Sequence, residues 1–418
     1  MEQKAITAGV NLNDGGSFAS SMEELADLAA ACDIEITGNV VQNLETINPA
    51  LYLGPGKVDE LRALLHATDT NAVIFNDELS PSQIRNLEKE LDCMVIDRTM
   101  LILEIFAKRA KTTEAKLQVE VANLQYSLPR LTGLKASLSQ QTGGVGTTNR
   151  GAGEKQLELN RRQIKDRISR LQQELETLVN RRKTQRRARS KSDIPVAALV
   201  GYTNAGKSTL LNALLKIFGE PDDKRVFEKD MLFATLETSV RRVNMPDNKS
   251  FLLTDTVGFI DKLPHHLVKA FRSTLEEVRE ADLLIHVVDA SNSDYEEQIR
   301  VTNETLKEIG VADIPMIYAY NKADRMDIRP PVSTDGAVCI SAKSMAGIDA
   351  LVKLIREQLF GGYVRCEMLI PYSRGEVVSY FSDHARLINT AYEQTGTRLT
   401  MECRLGDYEK FRSYCIDS

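Results

Sequence analysis

The segment Gly201-Tyr202-Thr203-Asn204-Ala205-Gly206-Lys207-Ser208 completes a GxxxxGK[ST] loop and dictates the structure on either side of it. Val196-Ala197-Ala198-Leu199-Val200 before it reads as a buried strand, and Thr209 to Leu215 after it reads as a helix. In that order the glycines let the backbone curl, so that successive N–H groups converge on a β-phosphate at the positive end of the helix. Lys207 is then expected to reach the β- and γ-oxygens, and Ser208 to ligate Mg²⁺. The phosphate site spans Gly201 to Thr209.

Further parts of a nucleotide hydrolase follow in order. After the apolar Phe251-Leu252-Leu253-Thr254 stands Asp255-Thr256-Val257-Gly258. Its carboxylate suits Mg²⁺ through water, and its Gly258 amide suits a γ-phosphate. Thr235, between the phosphate loop and Asp255, is the expected switch threonine, ordered by Mg²⁺ and γ-phosphate and released on hydrolysis. Lys207, Thr235 and Gly258 are thus the expected catalytic residues, and Ser208, Thr235 and Asp255 the expected Mg²⁺ ligands. Asn321-Lys322-Ala323-Asp324, after the strand Pro315 to Tyr320, predicts the base. The Asp324 carboxylate can accept both the N1 and N2 hydrogens of guanine, whereas adenine lacks the N1 hydrogen and would leave a buried acceptor unpaired. Ser341-Ala342-Lys343, after the strand Ala337 to Ile340, can offer backbone amides to guanine O6.

At 418 residues the chain exceeds one ordinary core, and an α/β protein of several domains is expected. No apolar run approaches the length of a membrane span and the start shows no signal pattern, so a cytoplasmic location is expected. Six cysteines without CxxC pairs predict free thiols, and His265-His266 is the only adjacent histidine pair, with ring directions that do not converge on a metal.

The segments expected are an N-terminal α/β domain with a parallel sheet (1–111), a helical hairpin (112–192), a G domain with a mainly parallel sheet (193–360) and a small C-terminal α/β domain (361–418). In the first, strands are expected at Ala72 to Phe75 and Met94 to Ile96, and helices at Lys57 to His66 and Pro81 to Leu91. The last is expected to read strand, helix, strand, helix, with one helix from Gly375 to Gln394. The hairpin helices are expected from Thr113 to Leu128 and from Glu154 to Arg189, each with one apolar stripe, packed antiparallel. A glycine-rich connector, Ser139 to Gly153, forms their tip.

Between Lys108 and Lys191 there are 20 Lys and Arg against 7 Asp and Glu, a charge of +13 in a chain whose total is −6. Such segregation suits a phosphate-backbone ligand and makes Arg161, Arg162, Arg181, Arg182, Arg186 and Arg187, with the tip residues Thr147, Thr148, Asn149 and Arg150, candidate RNA contacts. A solvated helix face is the bland alternative.

Asn48-Pro49-Ala50-Leu51-Tyr52-Leu53-Gly54-Pro55-Gly56-Lys57, Phe75 to Pro81, Val95-Ile96-Asp97-Arg98-Thr99, the connector running into Gly153-Glu154-Lys155-Gln156, and Leu232-Phe233-Ala234-Thr235-Leu236 with Asp255 to Ile260 resemble the HflX family of translational GTPases over most of the chain. The resemblance implies a GTPase that binds the large ribosomal subunit, reaches with its hairpin tip towards the peptidyl-transferase centre, and splits or rescues stalled 70S ribosomes. A monomer that engages rRNA and no DNA is expected. The chain departs from the family pattern in the connector, where Gly146 to Glu154 is about two residues longer than GTRGPGE and places Ala152 where proline is usual. It departs again after the switch, where Glu237-Thr238-Ser239 replaces DPT. General recycling and a specialised role, such as clearing antibiotic-stalled ribosomes, both stay open. So does a GTP-regulated RNA-binding switch that acts on free RNA or a protein partner. Phe259 stands where many signalling GTPases carry a water-orienting glutamine, so intrinsic hydrolysis is expected to be slow and stimulated by the ribosome.

Overall fold

The computed structural model describes residues 3–12, 17–140, 150–190, 194–218, 232–233, 238–245, 249–263, 277–311, 313–326, 333–334 and 336–416, with the side chains of 131–140, 150–157 and 181–190 left aside. The chain divides into two compact units. One comprises Met1–Arg187, Lys229–Glu237 and Val257–Leu275, and the other Ala188–Glu228, Thr238–Thr256 and Glu276–Ser418.

The first unit holds a four-stranded sheet in the order β2-β1-β3-β4, from β1 (Gln3–Asn11), β2 (Ile34–Asn43), β3 (Ala72–Phe75) and β4 (Met94–Asp97), with every pair parallel. Parallel neighbours need crossovers, here the helices α1 (Phe18–Ala31), α2 (Pro55–Thr68) and α3 (Pro81–Leu91). Ser80 and Gln83 form a reciprocal capping box at the start of α3, and Pro81 fills its first turn. The core runs from Ile6 and Val73 through Leu61 and Leu87. A fourth helix, α4 (Arg98–Arg109), is capped by Asp97, which accepts from the Met100 amide.

Asp97 also fastens the long helices to the sheet. Its fully buried carboxylate accepts from the Leu79 amide at 3.0 Å, from Arg130 at 2.9 Å and from the Tyr126 hydroxyl. Burial raises its pKa, opposed first by Arg130. Tyr126 and Arg130 lie on α5 (Thr113–Gln140), which therefore does not end at Leu128 as expected but runs on through Pro129. Proline normally costs a helix interior about 3 kcal/mol; here two side chains anchored to one buried carboxylate flank it. The second long helix, α6 (Arg150–Ser190), packs on α5 through Leu117, Val121, Ile168 and Leu171, with Leu124, Ile164, Leu175 and Leu178 beside them. Glu120 and Arg167 bridge the same seam at 2.9 Å.

In the second unit a seven-stranded sheet has the order β10-β11-β9-β8-β5-β7-β6, built from β5 (Val196–Val200), β6 (Ser239–Asn244), β7 (Ser250–Asp255), β8 (Leu283–Asp289), β9 (Met316–Asn321), β10 (Ser333–Thr334) and β11 (Ala337–Cys339). The interior pairs are parallel and the two edge pairs antiparallel. The helix α7 (Lys207–Ile217) contributes Leu210, Leu211, Leu214 and Leu215 to the core, and the helix Ile348–Phe360 contributes Leu351 and Ile355.

The C-terminal segment corrects one expectation. The helix beginning at Gly375 stops at His384, and Arg386–Glu393 is a strand, β13. With β12 (Tyr363–Pro371) and β14 (Gly396–Arg404) it makes an antiparallel sheet in the order β12-β14-β13. A register shift between Leu387 and Asn389 breaks the alternation that would have marked the strand in the sequence. All six cysteines are free thiols. No helix among the described residues is long and apolar enough to cross a membrane.

Candidate nucleotide site

The phosphate loop leaves β5 and enters α7 through two positions that only glycine fits. Gly201 has φ +144°, and a Cβ there would lie 2.2 Å from the Val287 carbonyl oxygen on β8. Gly206 has φ +93°, and its Cβ would lie 2.3 Å from Asn321 Nδ2. Gly206 is the N-cap of α7 and brings no side chain of its own to that helix start, a position suited to an anion. Lys207 lies buried and donates to the Gly201 and Tyr202 carbonyls at 3.0 and 2.7 Å. Burial pulls its pKa down to about 8, against the attraction of Asp255, and the charge of Lys322 pushes the same way. A phosphate in the loop would offer Lys207 full negative charge in place of those carbonyl contacts.

Ser208 Oγ donates to Asp255 Oδ2 at 2.7 Å, so the end of β7 brings the two expected Mg²⁺ ligands of this unit side by side. Thr256 Oγ1 reaches the Leu199 carbonyl at 2.6 Å and ties β7 to β5 at that level. Two hard oxygen groups in contact are a donor set suited to Mg²⁺. Thr235, the third expected ligand, lies outside the described residues. Gly258 and Phe259 belong to the first unit, where the Phe259 side chain is buried. In that unit Asp261 offers its carbonyl to Arg98 at 3.3 Å, Lys262 pairs with Asp77 at 2.6 Å, and Phe233 packs edge-on against Phe106 at 4.7 Å. Residues close in sequence to both expected switches thus pack against α4 and the sheet it follows.

The guanine-reading residues are held by one another. Asn321, at the end of β9, donates through Nδ2 to the Ala205 carbonyl and accepts from the Ala342 amide, both at 2.9 Å. That side chain stitches the phosphate loop to the Ser341-Ala342-Lys343 turn. It also takes up the Ala342 amide that was expected to face guanine O6. Asp324 accepts from Ser341 Oγ at 2.6 Å, and this bond, opposed by burial, holds its carboxyl below the usual range. The Ser344 amide in turn donates to Ser341 Oγ at 3.1 Å.

Sequence reasoning missed two residues here. Asp289, the last residue of β8, pairs with Lys322 at 2.7 Å; its only signal was a carboxylate closing an apolar strand. His286, on the same strand, is buried with its ring 5.2 Å from that of Tyr318. Of the candidate RNA contacts, Arg161 and Arg162 are exposed on α6. Arg150, Arg181, Arg182, Arg186 and Arg187 fall within that helix with side chains outside the described set, and Thr147, Thr148 and Asn149 lie outside the described residues altogether.

Three family models match in succession: a GTP-binding GTPase N-terminal region over residues 19–107, a GTP-binding GTPase middle region over 109–189, and a 50S ribosome-binding GTPase over 196–322. GTPase HflX of Lacrimispora saccharolytica is 44% identical over 399 residues, covering 95% of this chain and 92% of the relative. GTPase HflX of Escherichia coli is 40% identical over 366 residues, covering 86% and 84%. Among solved structures, a GTP-binding protein of Sulfolobus solfataricus in complex with GDP matches with TM-score 0.43 and 24% identity, over 86% of this chain and 99% of that one. With a phosphate loop, its adjoining Ser208–Asp255 pair and a cross-braced NKxD turn in one unit, and relatives of this identity along nearly its whole length, the chain belongs to the HflX family of GTPases and hydrolyses GTP.

Proposed function

We propose that this protein binds the large ribosomal subunit in its GTP state and splits or rescues stalled 70S ribosomes, with the ribosome stimulating hydrolysis. The observation that carries this reading is the α5–α6 hairpin, a packed pair of helices rooted on the buried Asp97 within a stretch of charge +13. A polyanion such as rRNA is the ligand such a stretch selects. The match to a 50S ribosome-binding GTPase over 196–322 supports the same partner.

In this reading the amides of Gly201 to Thr209 cradle the phosphates and Lys207 neutralises their charge. Ser208, Asp255 and Thr235 would hold Mg²⁺, which when bound supplies charge neutralisation on the phosphate oxygens. Asp324 reads guanine N1 and N2. Since Asn321 engages the Ala342 amide, Lys343 becomes the amide donor for O6. Gly258 contacts the γ-phosphate through its amide. The Phe259 ring is apolar and buried, so the group that orients the attacking water comes from the ribosome or from elsewhere in the chain. The protein acts in the cytoplasm as a monomer.

Sucrose-gradient sedimentation with a non-hydrolysable GTP analogue tests this. Comigration with 50S subunits, and depletion of 70S particles in its presence, is the expected result. Absence from ribosomal fractions would favour a switch acting on free RNA or a protein partner. Replacing Arg181, Arg182, Arg186 and Arg187 by Gln should flatten the salt dependence of 50S binding by about one unit of log–log slope per lost phosphate contact. Deleting Thr147 to Arg150 should leave most of that affinity and abolish splitting.

A further inference from the structure

We infer that Asp289 is a positioning residue for guanine recognition: it holds Lys322, and through it the turn that presents Asp324 to the base. The inference rests on Asp324 as the guanine acceptor.

Asp289 closes β8 directly beside Asn321, its register partner at the end of β9, and the Ala290 amide donates to the Asn321 carbonyl at 3.0 Å. Its carboxylate is oriented before it meets Lys322, because Oδ1 accepts from both the amide and the hydroxyl of Ser291, at 3.1 and 2.6 Å. The other oxygen therefore faces the Lys322 ammonium at 2.7 Å, with the two side chains only 16% and 14% exposed. An ion pair this enclosed, with one partner pre-oriented, is stronger than a surface pair.

Lys322 needs such a hold for two reasons. Its φ of +63° is a left-handed conformation that side chains rarely adopt, so the turn is under strain at this residue. Its ammonium also acts on Lys207, which brings two cations close to the phosphate loop. Asp255 offsets the charge of Lys207, and Asp289 that of Lys322. Without the Asp289 charge, Lys322 would be left half-buried and repelled by Lys207, and its escape to solvent would drag the backbone two residues ahead of Asp324. Asn321 and Asp324 are fixed from the other side by Ala205, Ala342 and Ser341. The Lys322 side chain is where a side chain of β8 braces the turn, beside the Ala290–Asn321 backbone bond.

The test uses the full chain with Asp289→Asn, titrated with GDP and with IDP, whose base lacks the N2 amino group that Asp324 reads. Removing one member of a charged, enclosed hydrogen bond should weaken GDP binding about tenfold. Misplacement of Asp324 should also shrink the preference for GDP over IDP by about threefold or more. In turnover the loss should fall on KM, with kcat at saturating GTP changed less than about twofold. Asp289→Glu, which restores the charge, should recover part of both affinity and base preference.

A folded Asp289→Asn protein with the parent GDP/IDP ratio would overturn the inference, even with a lowered thermal midpoint, because bracing alone would then explain the loss. If Asp289→Asn does not fold, Ser291→Ala removes only the orienting hydroxyl and should move the ratio in the same direction by a smaller factor. An unmoved ratio there would also overturn it. Asp324→Asn is the control: if that variant keeps the guanine preference, the assignment of Asp324 has failed, separately from that of Asp289.

Discussion

Asp324→Asn should invert base choice, and the surroundings of the carboxylate say how. Oδ1 accepts from Ser341 Oγ at 2.6 Å, and the Ser344 amide occupies a lone pair of that hydroxyl at 3.1 Å, which directs the hydroxyl proton to residue 324. An asparagine at 324 must therefore keep its carbonyl beside Ser341, and its NH₂ takes the place of Oδ2. Guanine then loses one charge-assisted bond, about 1.5–3 kcal/mol, and its N2 donor faces another donor, at a further cost of about 1–3 kcal/mol. Together these lower GTP affinity by about 10³-fold. Xanthine carries an acceptor oxygen where guanine has the amino group, so the same NH₂ pairs with it and the carbonyl still accepts from N1. Competition of GDP and XDP against a fluorescent guanine nucleotide should show the parent preferring GDP and the variant preferring XDP. An unchanged preference, or equal weakening of both, would refute the assignment of Asp324 to the base.

Lys207→Ala and Ser208→Ala should each lower ribosome-stimulated GTP hydrolysis by about 10²-fold or more, measured as phosphate release, with circular dichroism unchanged. His286 is held neutral by burial and then by Lys207, with its pKa pulled from 6.5 down to about 4. The unfolded chain takes that proton first, so stability is full above pH 6.5 and falls by about 1.4 kcal/mol per pH unit between 6.5 and 4. In His286→Phe, urea unfolding at pH 5 and pH 7 should differ less than in the parent; an equal difference would remove His286 from the acid response. Gly201→Ala would set a methyl 2.2 Å from the Val287 carbonyl at φ +144°, and calorimetry should show a loss of about 2–4 kcal/mol together with nucleotide affinity.

The nucleotide site was legible because its information is local. Gly201 to Ser208 is one turn between a strand and a helix, and the backbone that the glycines permit is the structure that binds phosphate. Asn321 and Asp324 could likewise be read from a four-residue motif after an apolar strand. The bonds that stiffen the motif could not, since Asn321 meets Ala205 and Ala342, and Lys322 meets Asp289, across 116, 21 and 33 positions. The parallel N-terminal sheet was legible from the Ala72 and Met94 runs, but Arg98 was not. A buried arginine leaves no periodic trace, and its partners Asn76, Glu24 and the Asp261 carbonyl are set by the fold.

The C-terminal error has a different origin. Leu387 to Tyr392 includes the strand-forming Ile388, Thr390 and Tyr392 and leads to a two-residue Gln394-Thr395 turn before Gly396, yet the preceding helix and the shifted register at Ile388 let a helical period extend through it. At Pro129 the opposite happened, because local chemistry predicted a stop that tertiary anchoring overrode. The α5 error falls where a neighbour outside the local window decides. In α5 that neighbour is Asp97, whose single buried carboxylate caps α4 and receives Tyr126 and Arg130. The start of α4 and the root of the basic hairpin therefore share one carboxylate. Since α4 also begins with Arg98, which holds the Asp261 carbonyl just beyond the DxxG motif, one helix end is tied both to the segment after Gly258 and, through Asp97, to the root of the basic hairpin.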